Sequence, residues 1–291
     1  MNPVGSTLSD VNVMVAGRGG DGSLTVINLL SHLLGQRGFH MYSSRNVNSR
    51  IKGGHAAAML RGSLEPRGCI GDSIDLVVAF EQTVLESVYP QLNEQSVIIY
   101  DTSHGKLDKS RVPKGVKVFE VPFGRLAVRD LRRDLFKNSL SFGVLSRLLN
   151  IPDREAVSCL ESHFKKLPEA ARISNVQALE AGFFCAVEAG IEESAGHWYL
   201  DRQEHTERLL ITGNEALALG FLVAGGRYFA GYPITPATDV MDWLEARLKD
   251  FGGLVVQAED ELAAINMCTG AALSGVRAMT ATSGPGLALM M

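Results

Sequence analysis

Three acidic residues stand together in the second half of the sequence, at Glu259, Asp260 and Glu261. They precede a predicted helix rich in small residues, and the helix dipole stabilises acids at this end. Glu261 differs from its neighbours because it begins a stripe that continues through Ala264 and Cys268, the spacing of one helix face. A carboxyl that faces an apolar interior needs a partner, and such surroundings are typical of functional acids. Glu261 is therefore a candidate functional carboxyl.

A hydroxyl between two prolines follows a predicted strand in the same half of the chain. Thr235 lies between Pro233 and Pro236 in the run Tyr-Pro-Ile-Thr-Pro-Ala-Thr. The prolines make the backbone around Thr235 rigid, and α/β proteins bind ligands at the carboxyl ends of their strands. Thr235 is thus a candidate ligand contact; the alternative is a proline-rich turn in which Thr238 caps the next helix. A later turn, Thr-Ser-Gly-Pro-Gly at residues 282–286, supplies further hydroxyls and backbone amides.

The first half carries a glycine-rich loop, Gly-Arg-Gly-Gly-Asp-Gly, at residues 17–22, between a predicted strand and a predicted helix. This is the context of a dinucleotide-binding fingerprint, in which glycines admit a phosphate to the helix N-terminus. Asp21 would repel a phosphate, and residues 43–45 (Ser-Ser-Arg) lack the acid that holds the ribose of NAD. NADP stays open because an arginine can receive its phosphate, and a tight turn without a ligand is an equal alternative.

Two groups of basic residues could attract an anion. Arg45, Arg50 and Lys52 precede residues 53–55 (Gly-Gly-His), and a cationic glycine-containing loop suits a phosphate or a carboxylate. Residues 105–137 contain ten lysines and arginines against four acids, a face that could steer an acidic protein or a CoA-like ligand. Solvated surface charge without a ligand is the alternative for both groups.

The composition excludes several classes of protein. The 291 residues are 46% hydrophobic and 21% charged, which is ordinary for a globular chain of about two domains. The net charge of −4 does not favour nucleic acid as a partner. Neither a signal peptide nor an apolar run of membrane-spanning length is visible. Four cysteines without a CxxC pair predict reduced, mostly buried thiols in a cytoplasmic protein, and no metal site in this chain.

Short apolar runs alternate with helical spacing along both halves, which predicts an α/β fold with a mostly parallel sheet and helices on its faces. Strands are predicted at residues 11–16, 39–43, 55–61, 74–80, 96–100, 116–121, 228–232, 254–257 and 277–281. Helices are predicted at residues 24–36, within 124–190, and at 214–224, 238–249 and 260–274. The polar run at 191–210 is the best candidate for a linker between domains at 10–190 and 211–291.

These motifs resemble a known family. In this order, residues 232–238 (YPITPAT), 257–275 and 282–286 (TSGPG) are similar to the pyrimidine-binding domain of 2-oxoacid:ferredoxin oxidoreductases. The glycine loop and residues 48–55 (NSRIKGGH) resemble the gamma domain of the same enzymes. With the gamma domain first, the chain resembles the fused alpha subunit, most of all that of the 2-oxoglutarate type. The implied fold is a Rossmann-like gamma domain followed by a thiamine-diphosphate-type pyrimidine-binding α/β domain, which we expect to be truncated at its apolar end, Met291.

The resemblance implies roles for individual residues. Glu261, with Glu259 as the second candidate, would contact the aminopyrimidine of thiamine diphosphate and share a proton with its ring nitrogen. Thr235 would donate a hydrogen bond to the carboxylate or carbonyl oxygen of the substrate. Further contacts are expected to the substrate from Tyr232, Ser283, Arg50 and Lys52, and to the cofactor from Pro233, Ile234 and Gly284.

The implied activity is the CoA-dependent oxidative decarboxylation of a 2-oxoacid, with 2-oxoglutarate as the first choice and ferredoxin as the electron acceptor. Mg²⁺ and a [4Fe–4S] cluster are expected on a beta subunit that shares the thiamine diphosphate, so the enzyme would act only as a heteromer, a dimer of alpha–beta heterodimers. The family's substrate-binding arginine is expected beyond Met291. Two alternatives stay open: an NADP-dependent oxidoreductase that uses the first domain, and a non-catalytic subunit that binds CoA or a nucleotide.

Overall fold

The computed structural model describes residues 8–18, 21–47, 55–191, 198–204 and 208–291. The chain divides into two compact units between Arg208 and Leu209. The described strands of the first unit are β1 (Asp10–Arg18), β2 (His40–Val47), β3 (His55–Ser63), β4 (Leu76–Ala79), β5 (Val97–Asp101) and β6 (Lys117–Val121). Its described helices are α1 (Ser23–Gln36), α2 (Phe123–Leu131), α3 (Lys137–Leu148), α4 (Asp153–His163) and α5 (Glu169–Glu188).

The six strands form one sheet in the order β2-β3-β1-β4-β5-β6. β1 pairs in parallel with β4, β4 with β5, and β5 with β6, whereas β3 lies antiparallel between β1 and β2. Five strands therefore run in one direction, which confirms the mostly parallel sheet. The reversed direction of β3 was not predicted, because an apolar run does not record the direction in which a strand runs.

Both faces of this sheet are buried. Along β1, Val11, Val13 and Val15 pack in a core with residues of α1, α3, α4 and α5, whereas Met14 and Ala16 belong to a second core on the opposite face. The second core contains residues of the 3₁₀ turn Gln82–Ser87 and none of the five described helices. The described helices thus cover one face only, which differs from the predicted helices on both.

Two helices of the first unit cross with their backbones in contact. A Cβ atom added to Gly143 of α3 would lie 3.1 Å from the Cα atom of Gly182 of α5 and would overlap the carbonyl oxygen of Leu179. An added Cβ atom on Gly182 would likewise overlap the carbonyl oxygen of Leu140. The absence of a side chain at both positions therefore lets α3 and α5 approach closely.

Residues 198–204, which the sequence assigned to the linker, pack into the first unit. Trp198 and Leu200 are buried in the helix-side core. The buried guanidinium of Arg37 donates to the carbonyl oxygen of Leu200 at 2.7 Å and to the carboxylate of Glu155 at 2.7 Å. The charged residues around this segment made it resemble a linker, but its apolar residues and its carbonyl groups find partners in the first unit.

The second unit contains a three-stranded parallel sheet in its described residues. Its strands are β7 (Tyr228–Gly231), β8 (Leu254–Gln257) and β9 (Ala278–Met279), in the order β8-β7-β9. Its helices are α6 (Gly213–Val223), α7 (Thr238–Glu245), α8 (Glu261–Leu273) and the short α9 (Gly286–Leu289). Phe229 of the central strand packs with Leu244 and Leu248 in the core. In neither unit does a helix of the described ranges have the length and hydropathy needed to cross a bilayer.

Candidate active site

The three motifs of the second half follow the carboxyl ends of its three strands. Residues 232–237 follow β7, residues 258–260 follow β8, and residues 280–285 follow β9. Because the strands are parallel, all three segments leave the sheet at the same edge. The backbone N–H of Ala258 donates to the carbonyl oxygen of Gly231 at 2.9 Å, so the first two segments are joined where they leave the sheet. This edge is where ligands bind in open α/β sheets.

Of the three consecutive acids, the structure buries one. Glu259 and Asp260 are exposed, whereas Glu261, the first residue of α8, is only 7% exposed. Asp260 caps the helix, since its carboxylate accepts a hydrogen bond from the backbone N–H of Ala263 at 2.7 Å. The inward direction of Glu261 agrees with the stripe predicted from Ala264 and Cys268, which are also buried.

The turn after β9 reaches the carboxyl group of Glu261. The hydroxyl of Thr282 donates to Oε1 of Glu261 at 3.4 Å, a long distance for a hydrogen bond between oxygens. Gly286 is buried, and a Cβ atom added to it would lie 2.5 Å from Oε1 of Glu261 and would overlap the hydroxyl of Thr282. Two residues that the motif did not single out, Thr282 and Gly286, are therefore the ones that contact the buried acid.

The two residues chosen from this turn on the sequence lie elsewhere. Ser283 is half-buried and Gly284 is exposed with a φ of 60°, a left-handed conformation that favours glycine. Neither makes a hydrogen bond to Glu261 among the residues that the structure describes. Their predicted contacts with substrate and cofactor stay predictions.

The Pro-Ile-Thr-Pro segment is held by neighbours on both sides. The side chain of Asn214, in the first turn of α6, donates to the carbonyl oxygen of Pro236 at 2.8 Å. The N–H of Thr238 donates to the carbonyl oxygen of Ile234 at 3.1 Å, and Thr235 itself is exposed. α7 begins at Thr238, and its N-cap is Ala237 rather than Thr238. Asn214 carries no sequence signal for this contact, because its partner is a backbone carbonyl distant in sequence.

The remaining residues of this segment differ in exposure. Tyr232 is 40% exposed, whereas Pro233 and Ile234 are half-buried. The peptide bond between Thr235 and Pro236 is cis. Thr235 and Tyr232 leave the same sheet edge as Glu261, but within the described residues no hydrogen bond joins either of them to it. The only structural support for their proposed ligand contacts is therefore that both side chains are exposed at this edge of the sheet.

In the first unit, Asp21 of the glycine-rich loop is paired inside the protein. Its carboxylate accepts hydrogen bonds from the backbone N–H of Arg18 at 2.6 Å and from the buried amine of Lys137 at 2.9 Å. Lys137 also donates to Asp134 at 3.0 Å and lies 5.2 Å from the ring centroid of Phe80. The carboxylate of Asp21 is therefore bound to the backbone of Arg18 and balanced by a cation, so it repels a phosphate less than a free carboxylate would. Gly19 and Gly20 lie outside the described residues.

The pKa of Lys137 reflects these contacts. Burial alone lowers the pKa of the amine, but the hydrogen bonds and charges of Asp21 and Asp134 outweigh burial and raise the pKa above its usual value. The amine is therefore a permanent cation at neutral pH.

The structure describes only part of the basic residues that could attract an anion. Arg50 and Lys52 lie outside the described residues. Within residues 105–137, Lys109 forms an ion pair with Glu120 at 3.1 Å, and Arg111 forms one with Glu86 at 2.5 Å. These pairs and the burial of Lys137 reduce the positive face that was predicted there.

A cleft lies at the carboxyl end of β5 and is formed in part by residues of the basic segment 105–137. Its volume is about 570 Å³, and it is lined by Thr102, Ser103, Gly105, Lys106, Glu120 and Arg125. Beside it, the carboxylate of Asp101 accepts a hydrogen bond from the N–H of Gly124 at 3.2 Å, in the first turn of α2. The protein therefore fills this helix N-terminus with its own carboxylate.

The cysteines follow the prediction of mostly buried thiols. Cys159, Cys185 and Cys268 are buried and Cys69 is exposed, and none of the four forms a disulfide. Burial raises the pKa of the Cys159 thiol to about 12. Among the residues that the structure describes, no group of three His, Cys, Asp or Glu side chains is arranged to hold a metal ion.

Comparison with known families gives one match in each unit. Residues 12–185 match the family described as "Pyruvate ferredoxin/flavodoxin oxidoreductase". Residues 220–291 match "Pyruvate flavodoxin/ferredoxin oxidoreductase, thiamine diP-bdg". The two matches name the same class of oxidoreductase, in agreement with the α/β units described above. The chain belongs to the pyruvate ferredoxin/flavodoxin oxidoreductase family, as the motifs indicated.

Individual relatives agree with this assignment. The chain is 27% identical, over 336 aligned positions, to the 2-oxoacid:ferredoxin oxidoreductase subunit alpha of Saccharolobus solfataricus, with 97% of this chain and 51% of the relative covered. It is 53% identical over 85 residues to the 2-oxoglutarate synthase subunit KorA of Methanothermobacter thermautotrophicus, with 29% of this chain and 23% of the relative covered.

A solved structure matches over nearly the whole chain. The 2-oxoglutarate:ferredoxin oxidoreductase from Magnetococcus marinus, with 2-oxoglutarate, coenzyme A and succinyl-CoA bound, has a TM-score of 0.83 and 32% identity to this chain. The match covers 97% of this chain and 49% of that one. This chain thus spans about half the length of the curated alpha subunit and of the solved structure that it matches.

Proposed function

We propose that this chain is part of the alpha subunit of a thiamine-dependent 2-oxoacid:ferredoxin oxidoreductase that acts on 2-oxoglutarate. The observation that carries the proposal is the buried carboxyl of Glu261 at the sheet edge where the three motifs leave their strands. The thiamine-diphosphate-binding match over residues 220–291 supports the cofactor. The bound 2-oxoglutarate of the Magnetococcus enzyme and the name of the Methanothermobacter relative support the substrate.

The residues at this edge fit thiamine diphosphate. Oε1 of Glu261 accepts the hydrogen bond of Thr282, and no hydrogen bond from the described residues reaches Oε2. A buried carboxyl with one oxygen that accepts no hydrogen bond from the described residues suits a ring nitrogen that exchanges a proton. Half-buried Pro233 and Ile234, together with Gly284, would hold the rest of the pyrimidine. When bound, thiamine diphosphate supplies the electron sink for decarboxylation of a 2-oxoacid.

The chain's own residues would hold a proton for the cofactor and position the substrate. Glu261 would hold a proton at Oε2 and share it with the ring nitrogen of a bound aminopyrimidine. The exposed hydroxyl of Thr235 donates a hydrogen bond to a carboxylate or carbonyl oxygen of the 2-oxoacid, beside Tyr232 and Ser283. Arg50 and Lys52 are proposed as further substrate-binding residues, because cationic side chains suit a carboxylate.

The other half of the chemistry is proposed to lie on a beta subunit. That subunit would hold Mg²⁺ with the diphosphate and a [4Fe–4S] cluster, and would pass electrons to ferredoxin. CoA would take the acyl group, a role supported by the coenzyme A and succinyl-CoA in the Magnetococcus structure. We propose a cytoplasmic dimer of alpha–beta heterodimers.

The first test compares two acids in the complete alpha subunit assembled with its beta partner. Glu261→Gln should lower CoA-dependent decarboxylation of 2-oxoglutarate by about a hundredfold or more, the usual contribution of a positioned acid–base group. Glu259→Gln is the matched control, because Glu259 is exposed, and it should stay within about twofold of the unchanged enzyme. If Glu259→Gln abolished turnover and Glu261→Gln did not, the role given to Glu261 would be wrong.

A further inference from the structure

The carboxyl group of Glu261 has two unequal oxygens. Oε1 accepts the hydrogen bond from the hydroxyl of Thr282, at 3.4 Å. Within the described part of the chain, Oε2 accepts none. Because a hydroxyl that donates to Oε1 favours the unprotonated form of that oxygen, a proton on this carboxyl is directed to Oε2. The hydrogen bond therefore distinguishes the two oxygens.

Gly286 closes the other side of the same carboxyl. Its φ lies outside the left-handed region, so the backbone conformation does not require glycine at this position. The space does: an added Cβ atom would lie 2.5 Å from Oε1 and 3.0 Å from Cγ of Glu261, and would overlap the hydroxyl of Thr282. Cβ atoms essentially never lie closer than 3.0 Å to another heavy atom, so any side chain at position 286 must displace the glutamate or the threonine.

We propose that Thr282 and Gly286 are positioning residues that hold the Glu261 carboxyl in one orientation, with Oε1 fixed by Thr282 and Oε2 presented to the nitrogen of a bound heteroaromatic cofactor. This inference rests on the proposed role of Glu261 as the group that contacts the aminopyrimidine of thiamine diphosphate. It gives the Thr-Ser-Gly-Pro-Gly turn a further task beside the proposed substrate contact of Ser283. The turn acts on the acid through its first and last residues.

The hydroxyl is tested with a pair of variants in the complete alpha–beta enzyme. Thr282→Val keeps the shape and removes the donor, whereas Thr282→Ser keeps the donor. Two readouts are measured besides turnover: the Kd of thiamine diphosphate, and the rate of hydrogen–deuterium exchange at C2 of the bound thiazolium. We expect Thr282→Val to slow the exchange by about threefold to tenfold, the worth of one uncharged hydrogen bond, and Thr282→Ser to restore it to within about twofold.

The space is tested with Gly286→Ala. The added methyl group should displace the carboxyl, slow the exchange at C2 by about tenfold or more, and weaken thiamine diphosphate binding. Gly220→Ala is the matched control, because an added Cβ atom in α6 would have no atom within 4 Å apart from its chain neighbours and its own helix backbone. This variant should behave like the unchanged enzyme. If Gly286→Ala does not fold, the Thr282 pair still decides the question, because neither substitution adds a heavy atom to the side chain.

The outcomes separate this inference from the function on which it rests. If the assembled enzyme needs thiamine diphosphate and Glu261→Gln slows the exchange, but Thr282→Val and Gly286→Ala exchange at the unchanged rate, the positioning role is wrong and the proposed function stands. If Thr282→Ser is as slow as Thr282→Val, the threonine acts by packing and the hydrogen bond has no such role. If the enzyme needs no thiamine diphosphate, both proposals are overturned.

Discussion

Lys137 and Glu261 are both ionisable and both buried, but their surroundings differ. Lys137 donates hydrogen bonds to two carboxylates, at 2.9 and 3.0 Å, so its charge is balanced within the first unit. Glu261 accepts one long hydrogen bond from an uncharged hydroxyl. A charge paired inside the protein holds the fold together, whereas a carboxyl with an unused oxygen can serve a ligand. We therefore interpret Lys137 as structural, and the contrast supports the functional role proposed for Glu261.

Substitution of Lys137 should destabilise the first unit. Lys137→Met leaves the carboxylate of Asp21 without its cation, and breaking one partner of a buried ion pair typically costs about 3–5 kcal/mol. We expect about 2–4 kcal/mol here, because Asp134 is half exposed and keeps its hydration. The chain has two tryptophans, and only Trp198 belongs to the first unit. In a Trp243→Phe background, tryptophan fluorescence during urea unfolding therefore reports on that unit. Exposed Lys166→Met, as the control, should change stability by less than about 0.5 kcal/mol.

The contribution of Lys137 should also depend on pH in a defined direction. Its pKa in the folded protein is raised above the reference value of 10.5, so the stabilisation is complete below about pH 10 and is lost as the pH rises through the raised value. The difference in unfolding free energy between the unchanged protein and Lys137→Met should be constant from pH 7 to about pH 9 and should shrink above about pH 10.5. A difference that instead shrank on acidification to about pH 6 would contradict this origin.

The sequence located the buried acid but not the residues around it. The helical stripe through Ala264 and Cys268 was enough to distinguish Glu261 from Glu259, because helix geometry fixes which residues share a face. The path of the turn after β9 is not periodic, so the motif could not distinguish Thr282 from Ser283, or Gly286 from Gly284. Which of these residues reaches the carboxyl depends on how a short turn meets a helix from another part of the chain.

At the scale of elements, the crossing of α3 and α5 depends on two glycines. Gly143→Ala inserts a methyl group against the carbonyl oxygen of Leu179, and overpacking of this kind typically costs about 1–3 kcal/mol. We expect a loss of that size in the unfolding free energy of the first unit, although alanine favours helices more than glycine does. Gln177→Ala on the exposed side of α5 is the control and should change stability by less than about 0.5 kcal/mol. A stabilised Gly143→Ala would show that the helices can separate without cost.

Elements with a regular repeat of apolar residues were predictable. The direction of a strand and the presence of a short 3₁₀ turn were not, because no repeat records them. β1, β5 and β8 and helices α1, α6 and α8 lie within a few residues of the predicted ranges. The reversed β3 and the 3₁₀ turn Gln82–Ser87 were not predicted. The direction of β3 depends on where the chain turns back, which an apolar pattern does not record. The 3₁₀ turn is short because Pro90, which follows it, cannot donate a helical hydrogen bond.

At the scale of the whole chain, the limit of the first unit can be tested by truncation. A fragment of residues 8–190 lacks Trp198 and Leu200, and burial of one such side chain contributes about 1.5–3 kcal/mol. We expect its melting temperature, measured by circular dichroism, to be about 10 °C below that of a fragment of residues 8–208. The longer fragment with Trp198→Ala should melt between the two. Equal melting temperatures for the three would restore the interpretation of this segment as a linker.

The missing Cβ atom of Gly286 also constrains how the sequence can vary. The space it leaves is filled by the hydroxyl of Thr282 and by an acid from another helix, so what position 286 tolerates is decided at positions 282 and 261. Among relatives, threonine at the equivalent of 282 together with glutamate at the equivalent of 261 should be accompanied by glycine at the equivalent of 286. Alanine or serine there should require smaller residues at both other positions, so the three positions should covary.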